Sequence, residues 1–164
     1  MTRLVPIAIT ILKHQAGYLF IQRRKPPYEG LWGLIGGKID LGEHIKEAAL
    51  REVQEETGTD GISDYVYRGL VSERLVDSVG TLKSHFLIFV GFARIADYHH
   101  SSREGEIRCF DTREILSSTE AFIPSDWYMF KSFELDLDSG VPYEAELVQD
   151  GAGYHLNYYR KAYE

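Results

Sequence analysis

The sequence predicts an α+β fold in which a mixed sheet lies between helices. Three observations carry that expectation: short β-branched and aromatic runs recur along the chain, one stretch over residues 43–57 has helical periodicity, and no repeat or low-complexity linker separates them. With 164 residues, 44% hydrophobic and 26% charged, the chain can bury a two-layer core without disulfide or structural metal, and residues 1–164 are expected to form one domain.

The elements follow in order. Residues 7–12 and 18–21 are apolar and rich in β-branched side chains, and the polar stretch 13–17 between them reads as a hairpin. Pro26, Pro27 and Gly30 then break periodicity, and residues 31–35 form a short strand ending at Gly36-Gly37. Ile45, Ala49 and Val53 lie four apart on one helical face, Asp40 and Glu43 have the spacing of a capping box, and Gly58 suits the position just beyond the helix. Residues 65–75, 83–95 and 106–110 read as strands, the middle one apolar enough to be central in a sheet. Residues 111–116 form a short helix and Pro124 starts another, while residues 143–149 and 154–159 flank Asp150-Gly151-Ala152-Gly153 as a closing hairpin.

Charge and composition exclude several classes. Eighteen Lys and Arg against 25 Asp and Glu give a net charge of −7, a poor match to the extended phosphate backbone of a polymeric nucleic acid but no obstacle to a small nucleotide. Cys109 is the single cysteine, so there is no intrachain bridge or Cys-x-x-Cys site, and a cytoplasmic location is expected. The amino terminus carries no signal-peptide or lipidation pattern, and apolar runs fall well short of the ~20 residues of a membrane span. The sequence leaves the oligomeric state open, a homodimer included. Lys38 follows Gly37 but Trp32 stands where a P-loop needs its first glycine. His99-His100 has no neighbours at zinc-ligand spacing and reads as a loop pair.

The informative stretch is the acidic helix. Glu52, Glu55 and Glu56 stand at i, i+3 and i+4, so their carboxylates leave one helical face together. Such a cluster costs about 0.2–0.5 kcal/mol per like-charged pair, and its place in the last turn, at the negative end of the dipole, costs about 0.3–1 kcal/mol per group. A solvated acidic face with Arg51 as partner to Glu55 is one explanation. The other is a divalent-cation site, since hard cations take oxygen ligands of this kind.

Gly37, Glu43 after five residues, and Arg51-Glu52-Val53-Gln54-Glu55-Glu56-Thr57-Gly58-Thr59 after seven more resemble the signature box of the Nudix hydrolases. Each fixed position of that box is matched, and Thr59 stands where a bulky aliphatic residue is usual. The resemblance implies the family's α/β/α sandwich and hydrolysis of a nucleoside diphosphate linked to another group, with Mg2+ or Mn2+ held by Glu52, Glu55 and Glu56. Clustered cations suit that chemistry, because a diphosphate repels an anionic nucleophile until its charge is neutralised. Glu43 and Arg51 resemble the family's orienting pair. For the general base the resemblance leaves Glu55 in the box and Glu104 or Glu106 outside it, with Glu106 slightly favoured as the acidic residue preceding a later strand.

Arg23, Arg24, Lys38, Gly37 and Tyr28 are the candidate substrate-binding residues, the cations for phosphate and Tyr28 for stacking on a base. A nucleoside triphosphate, ordinary or deoxy, cleaved to monophosphate and pyrophosphate is the first expectation. ADP-ribose or a nucleotide sugar is the second, dinucleotide polyphosphates the third, and a regulatory module that binds nucleotide without hydrolysis is the non-enzymatic alternative.

Overall fold

The computed structural model describes residues 2–138 and 140–163. Its strands are β1 (Leu4–His14), β2 (Gly17–Arg23), β3 (Trp32–Gly33), β4 (Ile35–Lys38), β5 (Ile62–Asp77), β6 (Leu82–Ile95), β7 (Gly105–Phe110), β8 (Tyr143–Asp150) and β9 (Gly153–Lys161). The helices are α1 (Ile45–Thr57), α2 (Thr112–Ser117) and α3 (Pro124–Phe130), the last running on as a wider turn over Lys131–Leu135. The expected α+β class and mixed sheet are what the structure has.

The sheet runs β3-β2-β1-β6-β5-β8-β9, with β4 paired to β1 and β7 to β2. β1 lies parallel to β6 and β5 parallel to β8, while the other pairings are antiparallel. β6, the most apolar run, is central as its composition requires, between β1 and β5. β1 divides its free edge: residues 7–10 pair with β4 and residues 12–14 with β2. That division curls the sheet and brings the Gly36-Gly37 strand alongside its centre.

Alternation along β1 and β2 sends side chains to two cores. Ile9, Ile11, Tyr18 and Phe20 pack with Phe122, Met129, Phe130 and Phe133 on the α3 side. Leu12, Leu19 and Ile21 pack with Ile35 and Val53 on the α1 side. α1 approaches closely because Ala48 and Ala49 meet Ala8, three small residues in one contact. Gly36 is needed in the same layer, since a Cβ there would collide with the Ala8 carbonyl.

Two local expectations are corrected. The first helix begins at Ile45 with His44 as its cap, whose N–H donates to Glu47 Oε1 at 3.2 Å. Asp40 and Glu43 instead close a turn, the Asp40 N–H donating to Glu43 Oε1 at 2.8 Å. Gly42 at φ 92° explains the difference, because a left-handed residue between them prevents the helix from reaching back to Asp40. The single strand expected over residues 31–35 is two, β3 and β4, interrupted at Leu34, whose N–H donates to Asp126 Oδ2 at 2.8 Å. Gly58 adopts φ 73°, the left-handed stop expected of it.

The closing hairpin forms as read and extends the sheet from β5. It also packs on the loop after β2. The Tyr154 and Tyr28 ring centroids are 4.6 Å apart, and Leu147, Leu156 and Ile123 complete that cluster.

Candidate active site

The site is built where α1 crosses the end of β4. Arg51 is the hub: its Nε and Nη2 bind both oxygens of Glu43 at 2.7 and 2.8 Å, Nη1 binds Glu52 Oε1 at 2.8 Å, and Nη2 also donates to the Lys38 carbonyl at 3.0 Å. A planar guanidinium alone can satisfy so many acceptors in fixed directions. These bonds and the Asp40 backbone hold Glu43 ionised, with its pKa lowered to about 2, and push the Arg51 pKa upward. Arg51 thereby locks the orientation of Glu52 from the helix and ties the preceding loop to it.

Glu52 and Glu56 occupy the inner side of the acidic face, and both are half-buried. Burial raises each pKa, opposed at Glu52 by Arg51 and at Glu56 by the Ser102 hydroxyl, which donates to Glu56 Oε2 at 2.7 Å. Glu55 is on the outer side, 50% exposed, with Arg51 Nη1 3.4 Å away. Gly37 lies directly against Glu52: a Cβ at residue 37 would come within 2.5 Å of the Glu52 carboxylate. We therefore expect Gly37→Ala to fold normally, because the obstructed atoms end a flexible side chain, yet to displace Glu52 and lower activity about 10–100-fold. Melting temperature and turnover measured together check it.

One oxygen of each inner carboxylate is committed, Glu52 Oε1 to Arg51 and Glu56 Oε2 to Ser102. Among the described residues no hydrogen bond reaches the other oxygen of either. Among those residues no three acidic, His or Cys side chains converge as a preformed cage. That donor set fits Mg2+ or Mn2+, since Mg2+ commonly takes one or two protein carboxylates and completes its shell with water and substrate phosphate.

The base candidates separate in space. Glu104 sits in the loop before β7 beside Glu56, whose pKa it helps raise, and its N–H donates to the same Ser102 hydroxyl at 3.1 Å. Glu106 lies opposite Gln22 on β7 and is exposed, between inward-facing Gly105 and Ile107. The structure thus sets Glu104, and not the slightly favoured Glu106, at the carboxylate pair, because strand alternation turns residue 106 outward.

Arg23 lines the adjoining cavity, its Nε donating to the Pro27 carbonyl at 2.7 Å. Arg24 is exposed and donates to the Ser102 carbonyl at 3.1 Å, so it braces the Glu104 loop. The Lys38 side chain is exposed and its carbonyl serves Arg51. Tyr28 is no open stacking surface: it is 4% exposed, at φ 67°, and forms part of the cavity wall.

Sequence reading missed Ser102, Glu73 and Asp126. Glu73 and Asp126 are 3% and 6% exposed at the cavity, and no hydrogen bond joins them among the described residues. Burial raises Glu73 to about 7, although the Ser125 and Tyr28 hydroxyls draw it down. Burial, and then Glu73 itself, raise Asp126 to about 8, opposed by the Leu34 N–H and Arg23. Glu73 Oε1, Tyr28 Oη and Ser125 Oγ are buried without meeting hydrogen-bond geometry with any partner; such an atom costs about 1–3 kcal/mol. The available signal was that Glu73 shares its strand face with Val71 and Leu75, both buried.

A curled mixed sheet whose glycine strand meets an arginine-braced acidic helix defines the NUDIX class of domain. The NUDIX domain family model matches residues 1–133, and the chain belongs to that family. It is 42% identical over 50 residues to a putative 8-oxo-dGTP diphosphatase of Bacillus subtilis, covering 30% of this chain and 32% of that one. An ADP-ribose pyrophosphatase of Methanocaldococcus jannaschii is 40% identical over 48 residues, 29% of this chain and 28% of its own length. The chain thus spans about a third or less of those relatives. In structure it resembles a MutT protein from Bacillus halodurans, with a TM-score of 0.72 and 25% identity over 98% of this chain and 99% of that one. The NUDIX domain of Shewanella oneidensis NrtR, solved with ADP ribose, shares the fold at TM-score 0.65 and 17% identity, over 84% and 91% of the two chains. Among the described residues no helix is long and apolar enough to cross a membrane.

Proposed function

We propose that the protein is a NUDIX hydrolase that cleaves the diphosphate linkage of a nucleoside diphosphate derivative, with a nucleoside triphosphate as the substrate that fits best. The observation that carries it is the pair of half-buried carboxylates, Glu52 and Glu56, each with one oxygen held and one available, beside a cavity that Glu56 itself lines. The continuity of the sheet from β3 to β9 supports treating residues 1–164 as one catalytic unit.

In this reading Glu52 and Glu56, with Glu55 at their outer flank, hold Mg2+ or Mn2+. The cation supplies charge neutralisation of the diphosphate and a more acidic water. Glu104 accepts the proton of the attacking water, a role supported by its place next to Glu56; Arg23 at the cavity wall and backbone around Gly36 and Gly37 receive phosphate. Arg51 and Glu43 act by holding Glu52. Arg51→Lys, which cannot reproduce the fork to Glu43, is expected to lower kcat/KM about 10–100-fold and to raise the Mg2+ concentration needed for half-maximal rate in a metal titration.

The test is product identification by mass spectrometry after incubation with Mg2+ and a panel of nucleoside triphosphates, ADP-ribose, nucleotide sugars and dinucleotide polyphosphates. Monophosphate plus pyrophosphate supports the proposal in full. AMP plus ribose 5-phosphate retains the chemistry and replaces the substrate. Nucleotide binding without turnover under Mg2+ or Mn2+ favours the regulatory module. A cytoplasmic setting accords with the single free Cys109.

A further inference from the structure

The cavity next to the acidic helix has a volume of about 150 Å3, a size at which an apolar protein cavity accepts an aromatic ring. Its sides are apolar, with Ile7, Ile9, Phe86 and Ile88 from β1 and β6, and Ile123 ahead of α3. Glu56 and Glu104 also line it, as do Glu73 and Asp126. Glu73 and Asp126 come from β5 and α3, and neither belongs to the acidic helix or touches it through any hydrogen bond among the described residues. Their surroundings leave polar atoms poorly answered: Glu73 Oε1, Tyr28 Oη and Ser125 Oγ lie together but meet hydrogen-bond geometry with no partner among the described residues. On Asp126 the Leu34 N–H already donates to Oδ2 at 2.8 Å.

A fold does not ordinarily bury two carboxyls and two hydroxyls together without a use for them. Glu56, Glu73, Glu104 and Asp126 line the cavity with Arg23 as the lining cation, so a phosphate's charge is poorly balanced at the Glu73 and Asp126 end. Apolar walls select a flat ring, and neighbouring carboxyl oxygens select ring edges rich in N–H donors.

We propose that Glu73 and Asp126 form a specificity end of the substrate cavity, which takes a flat heterocycle presenting two adjacent N–H donors on one edge, with Tyr28 as the adjoining wall. The inference rests on the proposed function in one respect, that the molecule whose diphosphate lies at Glu52 and Glu56 also carries this ring. Tyr28 is held for the role from outside the family-matched residues, by Tyr154 of the β8–β9 hairpin at 4.6 Å. Burial raises both carboxyls, Asp126 to about 8 and Glu73 to about 7, so the pair carries less than its full negative charge at neutral pH, which suits an uncharged ring over a cationic one.

The test compares GTP, whose base offers a ring N–H beside an amino group, with ITP, which lacks the amino group, in the parent and in Glu73→Met. Methionine keeps the volume and removes the hydrogen bonds, and Asp126→Asn, which preserves an acceptor for Leu34, is the second variant. The parent is expected to favour GTP over ITP by at least about tenfold in kcat/KM, and Glu73→Met to bring that ratio toward one. A parent with no preference, or a folded Glu73→Met with the parent's preference intact, overturns the inference. If no triphosphate is turned over, the substrate reading has failed separately. Calorimetric binding of guanosine and inosine then decides the ring site: guanosine-selective binding lost in Glu73→Met supports it, and equal or absent binding overturns it.

Discussion

Glu56→Gln is expected to lower turnover at least about 100-fold with little change in melting temperature, the largest effect on activity that any conservative change in this protein should produce. Glu56 combines three properties that Glu55 lacks: it is half-buried, it is oriented by the Ser102 hydroxyl at 2.7 Å, and it adjoins both Glu104 and the cavity. Gln keeps the shape and the Ser102 contact while removing the charge a cation needs. Burial already raises the Glu56 pKa, so neutralising the group removes a desolvation cost and offers no reason for the fold to weaken. Steady-state rates over a Mg2+ series, with circular dichroism melts, check both halves. A variant retaining more than about a tenth of parental turnover at saturating Mg2+ would remove Glu56 from the proposed machinery. Glu55→Gln should be milder, since half of that side chain is in solvent.

The second large effect concerns stability. Asp126→Asn is expected to make the protein more stable than the parent at pH 9, by about 2 kcal/mol or more, and no more stable at pH 4 or below. In the unfolded chain Asp126 ionises near the ordinary value of about 4. In the folded protein burial and the neighbouring Glu73 raise it to about 8. Below the lower value both states are protonated and the group does not shift the folding balance. As pH rises past it, the unfolded chain releases a proton that the folded protein retains, so stability falls until the folded group also ionises. Each unit of upward shift is worth about 1.4 kcal/mol; Arg23, the Leu34 N–H and relaxation around Glu73 reduce the sum. Asn does not titrate and can still accept from Leu34. Denaturant unfolding at pH 4, 7 and 9 reads the difference, and parallel curves for parent and variant would show that the carboxyl is not buried in this way.

The sequence alone determined whatever depends on neighbours within a few residues. A rise of 3.6 residues per turn places Glu52, Glu55 and Glu56 on one face regardless of what the helix packs against. Gly58 stops that helix because a left-handed residue must, and the apolar run in β6 had to be central because both faces of a central strand are covered. Alternation around Ile107 also carries the outward direction of Glu106.

Tertiary structure decided everything that joins distant segments. Which members of the acidic face turn inward follows from the close contact of Ala48 and Ala49 with Ala8, set by β1 and not by the helix. Gly37 matters because β4 runs past Glu52, and Glu104 because the loop before β7 folds over Glu56 through Ser102. Glu73 stands in a strand and Asp126 at a helix start. Their burial together depends on the curl of the sheet and the docking of α3, which join segments far apart in the chain. Local periodicity carries no information about such meetings, because they are fixed by how whole layers pack.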